Sequence, residues 1–200
     1  MSKIALQGDA SGTGTFTIAS PNSNTDRTLT LPDEAGTVLT SASDIPAGNL
    51  TGDVIQNAGS AFRGYPSSSL GVSNNTWTKV PINTEDFDLS SDFDSSTNYR
   101  FTPQTEGYYL LNGNIFFDYT STAPQYSIIG IYKNGSLASR AFMNLSSTTG
   151  YWGLNLTEIF YFNGSTDYVE LYGYMNGGTG MQFYFRTDNT NFSGCLLRKA

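Results

Sequence analysis

Residues 107–119 read GYYLLNGNIFFDY, and how that stretch is read decides the fold. Taken as an extended strand, it places Tyr109, Leu111, Gly113, Ile115, Phe117 and Tyr119 on one face and Asn112, Asn114 and Asp118 on the other. Taken as a helix, it scatters the apolar groups around the whole cylinder and puts Gly113 in the interior, at a cost of about 1 kcal/mol relative to Ala. The stretch is therefore expected to be a half-buried strand, with the face of Tyr109, Ile115 and Phe117 in the core. Such a strand needs partners.

Further strands are expected at regular spacing on either side, each ended by turn residues. They are 61–65, 76–82, 99–102, 126–132, 137–144, 151–162, 167–174, 181–186 and 192–198. The turns KNGS at 133–136 and NGGTG at 176–180 offer the positive-φ positions that hairpins require. About ten short antiparallel strands without a convincing helix read as an all-β sandwich or jelly roll over residues 61–200. Both faces of the late strands carry aromatic bulk, with Tyr168, Tyr172, Tyr174 and Tyr184 opposite Val169, Leu171, Phe183 and Phe185. Those four tyrosines are the expected interface with a neighbouring subunit.

The N-terminal third differs in composition. Residues 1–60 hold a single aromatic, Phe16, among Gly, Thr, Ser and Asp, and offer short extended candidates at 15–19, 28–31 and 37–40. These strands bury too little to stand alone. Residues 1–40 are accordingly expected to be a strand-rich stem or attachment module completed by other chains, and residues 41–60 a connector.

Composition excludes several functions. The net charge is −7 and the basic residues are scattered singly, which argues against binding phosphate backbones. No stretch approaches the length of a membrane span, and MSKIALQGDASG lacks the charged start and apolar run of a secretory leader. Synthesis in a cytoplasm is expected, and the lone Cys195 agrees with it. The sequence has no histidine, so neither a Ser-His-Asp nor a Cys-His nucleophile is available, and no enzyme is expected. Asp86, Asp88, Asp92 and Asp94, in DFDLSSDFD, are of the type that holds calcium, but their spacing departs from an EF-hand, with Ser91 in the place of the turn glycine. The expected reading is a solvated loop, with neither a metal nor a cofactor. Aromatic and amide residues on loops suit sugars, because ring faces stack on pyranoses and amides satisfy hydroxyls. Tyr119, Gln125, Tyr151 and Asn176 mark the loops where a receptor would be met.

Residues 61–199 resemble the C-one-q-like globular head of the tumour-necrosis-factor superfamily. The resemblance rests on AF at 61–62, NYRFTPQTEGYYLLNGNI at 98–115, YKNG at 132–135, TEIFYFNGSTDYVELY at 157–172 and FSGCLL at 192–197. It implies a ten-stranded jelly roll that forms a homotrimer. No collagen repeat precedes the head. In its place, residues 4–40, and TLTLPDEAGTVLT at 28–40 above all, resemble the N-terminal module of bacteriophage fibre and appendage proteins. Together these imply a virion structural protein, a short trimeric tail fibre anchored to other virion proteins by its N-terminal region and meeting a host-surface glycan through its C-terminal knob. A head fibre or capsid decoration protein, and a free carbohydrate-binding module, are the alternatives.

Overall fold

Alternation carries the fold. In a computed structural model, the stretch 107–119 lies inside a 17-residue strand whose odd-numbered residues from Gly107 to Phe117 are buried and whose even-numbered ones face outward. The structure describes residues 11–14, 22, 24–26, 28, 59–145, 150–185 and 188–200. The chain divides into two units, Met1–Gly52 and Asp53–Ala200. Most of the expected N-terminal module and nearly all of the connector lie outside the described residues, so the account concerns the second unit.

The described residues contain strands and no helix. In chain order the strands are β1 (Ala61–Tyr65), β2 (Leu70–Gly71), β3 (Thr78–Lys79), β4 (Thr84–Asp88), β5 (Phe93–Asp94), β6 (Arg100–Phe101) and β7 (Glu106–Thr122). They continue with β8 (Tyr126–Lys133), β9 (Ser136–Asn144), β10 (Trp152–Asn163), β11 (Val169–Asn176), β12 (Thr179–Phe183) and β13 (Asn191–Lys199). That makes thirteen rather than ten, because β2, β4 and β5 fall outside the expected strands. The expected strand 76–82 shrinks to β3, since Pro81 brings no N–H to a ladder. The expected loop at 86–94 is instead β4, a bend and β5. β4 ends the order of its sheet, and an edge strand tolerates the carboxylates that made it look like a loop.

All pairings are antiparallel and form two sheets. The seven-stranded sheet runs β2-β12-β7-β13-β1-β4 with β10 on the other side of β7; the six-stranded sheet runs β5-β6-β11-β8-β9 with β3 on β11. β7 pairs β10 from Glu106 to Phe117, β13 from Gly107 to Asn114, and β12 near its far end. The β8–β9 hairpin turns on Asn134 (φ 52°) and Gly135 (φ 78°), the left-handed pair that such a turn needs.

One core lies between the sheets. At one end Phe62 stacks on Phe101 at 4.3 Å and on Phe93 at 4.7 Å, with Tyr109 and Phe162 edge-on beside them. At the other end Phe117 stacks on Trp152 at 5.9 Å, and the indole Nε1 donates to the buried Ser127 Oγ at 2.8 Å. Gly113 sits between them because a Cβ there would lie 2.5 Å from Leu171 Cδ1. The sheets come too close at that point for any side chain. The Tyr109 hydroxyl donates to Thr105 O at 2.9 Å, and burial pushes its pKa up to about 12.

Candidate functional site

Alternation that points odd residues of β7 into the core points Tyr108, Leu110, Asn112, Asn114 and Phe116 out of the seven-stranded sheet. The register sets Tyr108 opposite Tyr161 and Leu110 opposite Ile159 on β10, while Leu110 faces Cys195 on β13 and Cys195 faces Ala61 on β1. Tyr108, Ile159, Tyr161 and Leu197 are exposed, Ile159 to 52%. They form an apolar band across one end of the face. Beside it a shallow groove of about 290 Å³ is lined by Ala61, Arg63, Phe87, Leu110 and Cys195 among others. Cys195 is exposed there, a free thiol on the outer face of the sheet.

Next along the same face comes a row of amides. Asn112 Nδ2 donates to Thr157 Oγ1 at 2.7 Å, Asn114 Nδ2 to Asn112 Oδ1 at 2.7 Å and to Asn191 Oδ1 at 3.1 Å, and Asn155 Nδ2 to Asn114 Oδ1 at 2.7 Å. Each side chain is oriented by its neighbour. Beyond the row, Tyr151 lies over Phe116 (6.3 Å, 28°) and against Tyr184 (4.4 Å, 35°).

The residues singled out from the sequence fall in several places. Gln125 and Asn176 come together: Gln125 N donates to Asn176 O at 2.6 Å, and Gly177 N beside them donates to Asn74 Oδ1 at 2.8 Å. The Asn176 amide donates to Asn75 Oδ1. Tyr119 belongs to β7 and packs 6.2 Å from Trp152, on the core side. Tyr151 stands apart from that loop pair, with Tyr184, on the outer face of the seven-stranded sheet. Tyr172 and Tyr174 lie on the outer face of the six-stranded sheet. There Tyr172 stacks on Tyr132 at 4.1 Å, and the Trp77 ring joins Tyr132 (5.6 Å) to Tyr174 (5.4 Å). Tyr168 lies under the Arg100 guanidinium at 4.5 Å. Burial, with the Glu170 carboxylate behind it, pushes the Tyr172 hydroxyl up to about 12. Much of the bulk of these tyrosines is thus covered within the chain.

The aspartates have local work. Asp86 pairs with Arg63 across the sheet, and Asp88 Oδ2 accepts from Phe93 N at 2.8 Å. Asp92 is buried and accepts from Gln104 N at 3.2 Å, and burial raises its pKa. Asp94 accepts from the N–H groups of Thr97, Ser96 and Asn98 at 2.9–3.0 Å, which hold its carboxyl well below the usual carboxylate range. Four carboxylates engaged separately replace the expected solvated loop, and among the described residues no three metal-ligating side chains of the His, Cys, Asp and Glu type gather.

Sequence reasoning named neither the apolar band nor the amide row. The signal for the band lay within GYYLLNGNIFFDY, whose outward positions include Tyr108, Leu110 and Phe116 as well as polar residues. The amides come from three strands that only the register brings together.

No family model matches the sequence, and no curated protein matches it. Solved structures do match. The crystal structure of murine APRIL at pH 8.0 aligns with a TM-score of 0.53 and 12% identity, covering 70% of this chain and 100% of that one. Eiger TNF from S. frugiperda aligns with a TM-score of 0.52 and 10% identity over 70% of this chain and 92% of its own. At such identities the likeness is one of fold, and the sandwich of residues 61–200 is a tumour-necrosis-factor-like jelly roll.

Proposed function

We propose that the chain is a non-enzymatic structural protein of a bacteriophage particle: a short homotrimeric tail fibre. Its C-terminal jelly roll is the knob that meets the host surface, and residues 1–40 bind other virion proteins. The observation that carries the trimer is the apolar band of Tyr108, Ile159, Tyr161 and Leu197, exposed on a flat sheet face in the single chain. A contiguous apolar surface of this kind marks a contact. Packing three copies through this face covers it and leaves Tyr168, Tyr172 and Tyr174 on the outside. The phage reading is supported by the resemblance of TLTLPDEAGTVLT at 28–40 to fibre modules. Three knobs on one stem convert weak single contacts into avidity, the means by which such a fibre holds a cell.

Two measurements test this. Light scattering on the full chain at micromolar concentration is expected to give three chain masses; a monomer defeats the trimer. Immunogold labelling of intact particles is expected at the tail. Label over the shell makes the protein a head fibre or capsid decoration, and absence from particles makes it a free carbohydrate-binding module.

A further inference from the structure

We infer that the aromatic platform of Phe142, Tyr126 and Tyr174, on the outer face of the six-stranded sheet, binds a uronic acid, a pyranose that carries a carboxylate, with Arg140 as the counter-charge. The inference deepens the host-surface reading and rests on it for its biological meaning; the chemistry rests on the platform.

Alternation on three adjacent strands builds the platform. Ala141 and Met143 of β9 pack against the core, so Arg140 and Phe142 point the other way. Ser127 of β8 and Gly173 and Met175 of β11 are buried, which turns Tyr126 and Tyr174 outward. Phe142 lies 5.1 Å from Tyr126, and Tyr126 lies 5.9 Å from Tyr174 with the two rings 14° from parallel. Neighbouring strands set these rings across about 10 Å. Trp77 braces the far side, 5.4 Å from Tyr174, in the space that Gly130 leaves open. Phe142 is 52% exposed, and Tyr126 and Tyr174 are half-buried, so the platform meets solvent. An aromatic surface of this kind takes the C–H face of a pyranose.

Amides stand at one end of it. The Tyr174 hydroxyl donates to Asn75 Oδ1 at 3.3 Å, the Asn176 amide donates to the same oxygen, and Gly177 N donates to Asn74 Oδ1 at 2.8 Å. Those two oxygens are engaged, and the Nδ2 groups of Asn74 and Asn75, both exposed residues, keep donors for sugar hydroxyls. Arg140 stands at the other end. The register sets Phe142 opposite Ile128 and Arg140 opposite Gly130, two residues or about 7 Å along β9. Arg140 is exposed and forms no ion pair among the described residues, whereas Arg63, Lys79 and Lys133 each hold a carboxylate. In a chain of net charge −7, such a guanidinium beside aromatic rings is the complement of an anionic group. Its parallel N–H donors match the two oxygens of a carboxylate, which a neutral sugar lacks. The platform belongs to the sheet that does not carry the apolar band, so a trimer packed through the band presents three copies of it outward.

Saturation-transfer NMR titrations on the full chain test the assignment, with the methyl glycosides of glucuronic, galacturonic and mannuronic acid as probes and those of glucose, galactose and mannose as their neutral counterparts. At least one uronide is expected to show transfer to its ring protons and to bind roughly tenfold more tightly than its counterpart, the worth of about one charge-assisted contact. Phe142→Ala and Arg140→Ala, both at exposed positions and checked for folding by circular dichroism, are each expected to weaken uronide binding roughly tenfold, and Arg140→Ala to erase the preference over the neutral sugar. Leu89→Ala, at a 63% exposed position just past β4, is expected to leave binding unchanged. The assignment is overturned if no uronide shows transfer, if the neutral counterparts bind equally well, if binding survives Phe142→Ala or Arg140→Ala undiminished, or if Leu89→Ala abolishes it. Particle labelling reads the fibre proposal independently. Uronide binding without particle association leaves the platform standing and removes the fibre; tail label without uronide binding removes the platform alone.

Discussion

Gly113 faces the core where Leu171 comes closest, and a methyl group added there meets Leu171 Cδ1 at 2.5 Å. Gly113→Ala is expected to destabilise the fold by about 1–3 kcal/mol through overpacking, measured by urea unfolding. Asp94 gives a pH dependence of definite sign. Its carboxyl has an ordinary pKa of 3.8, and the Thr97 N–H, with Asn98 and Ser96, lowers it in the fold. The ionised group therefore adds stability above pH 3.8, and that contribution is lost as the pH falls below it. Asp94→Asn is expected to cost about 1–2 kcal/mol at pH 7, from weaker hydrogen bonds to a neutral acceptor, with the gap from the parent closing toward pH 2. Tyr109 acts at the other limit. Its ordinary value of 10.0 rises to about 12 on burial, so the stabilising contribution of the neutral hydroxyl is complete below pH 10.0 and disappears as pH climbs toward 12. Tyr109→Phe is expected to remove part of that alkaline loss, read from melting temperature against pH.

Among the elements, β7 was the most legible from sequence, because its inward set from Tyr109 to Phe117 alternates without a break, a pattern that a helix would scatter around its whole cylinder. β4 and β5 were hidden by the carboxylates of an edge strand, and the amide row by its assembly from Asn114, Asn155 and Asn191, whose polar alternation looks in each strand like an ordinary solvated face. Spacing along a chain reports which face a residue takes; it does not report which strand lies alongside. The six-stranded sheet shows the same limit. Trp77 lies across its outer face because Gly130 beneath has no side chain: a Cβ at 130 would meet Trp77 Cζ3 and Leu137 Cδ1 at 2.9 Å. Nothing in either local sequence links the two. Gly130→Val is expected to displace the indole toward water, seen as a red shift in tryptophan emission, with a loss of about 1–3 kcal/mol.

For the whole molecule, the seven-stranded face divides its labour by position, apolar at the Tyr108 end and amide-rich near Asn114. Ile159→Glu, which puts a charge into the exposed apolar band, is expected to give a monomer in light scattering. Cys195, on the same face, reports the change, its thiol reacting slowly with a disulfide reagent in the trimer and rapidly in the variant. The strand that carries Cys195 has one more consequence. β13 is paired on both sides, with β7 and with β1, so the last strand in sequence is laid into the middle of its sheet. Pairings that span so much chain form slowly. During translation β1 and β7 emerge long before the strand that joins them, and their inward faces wait unpaired until residues 191–199 have left the ribosome. Chains released early are therefore expected to be aggregation-prone fragments rather than smaller folded domains.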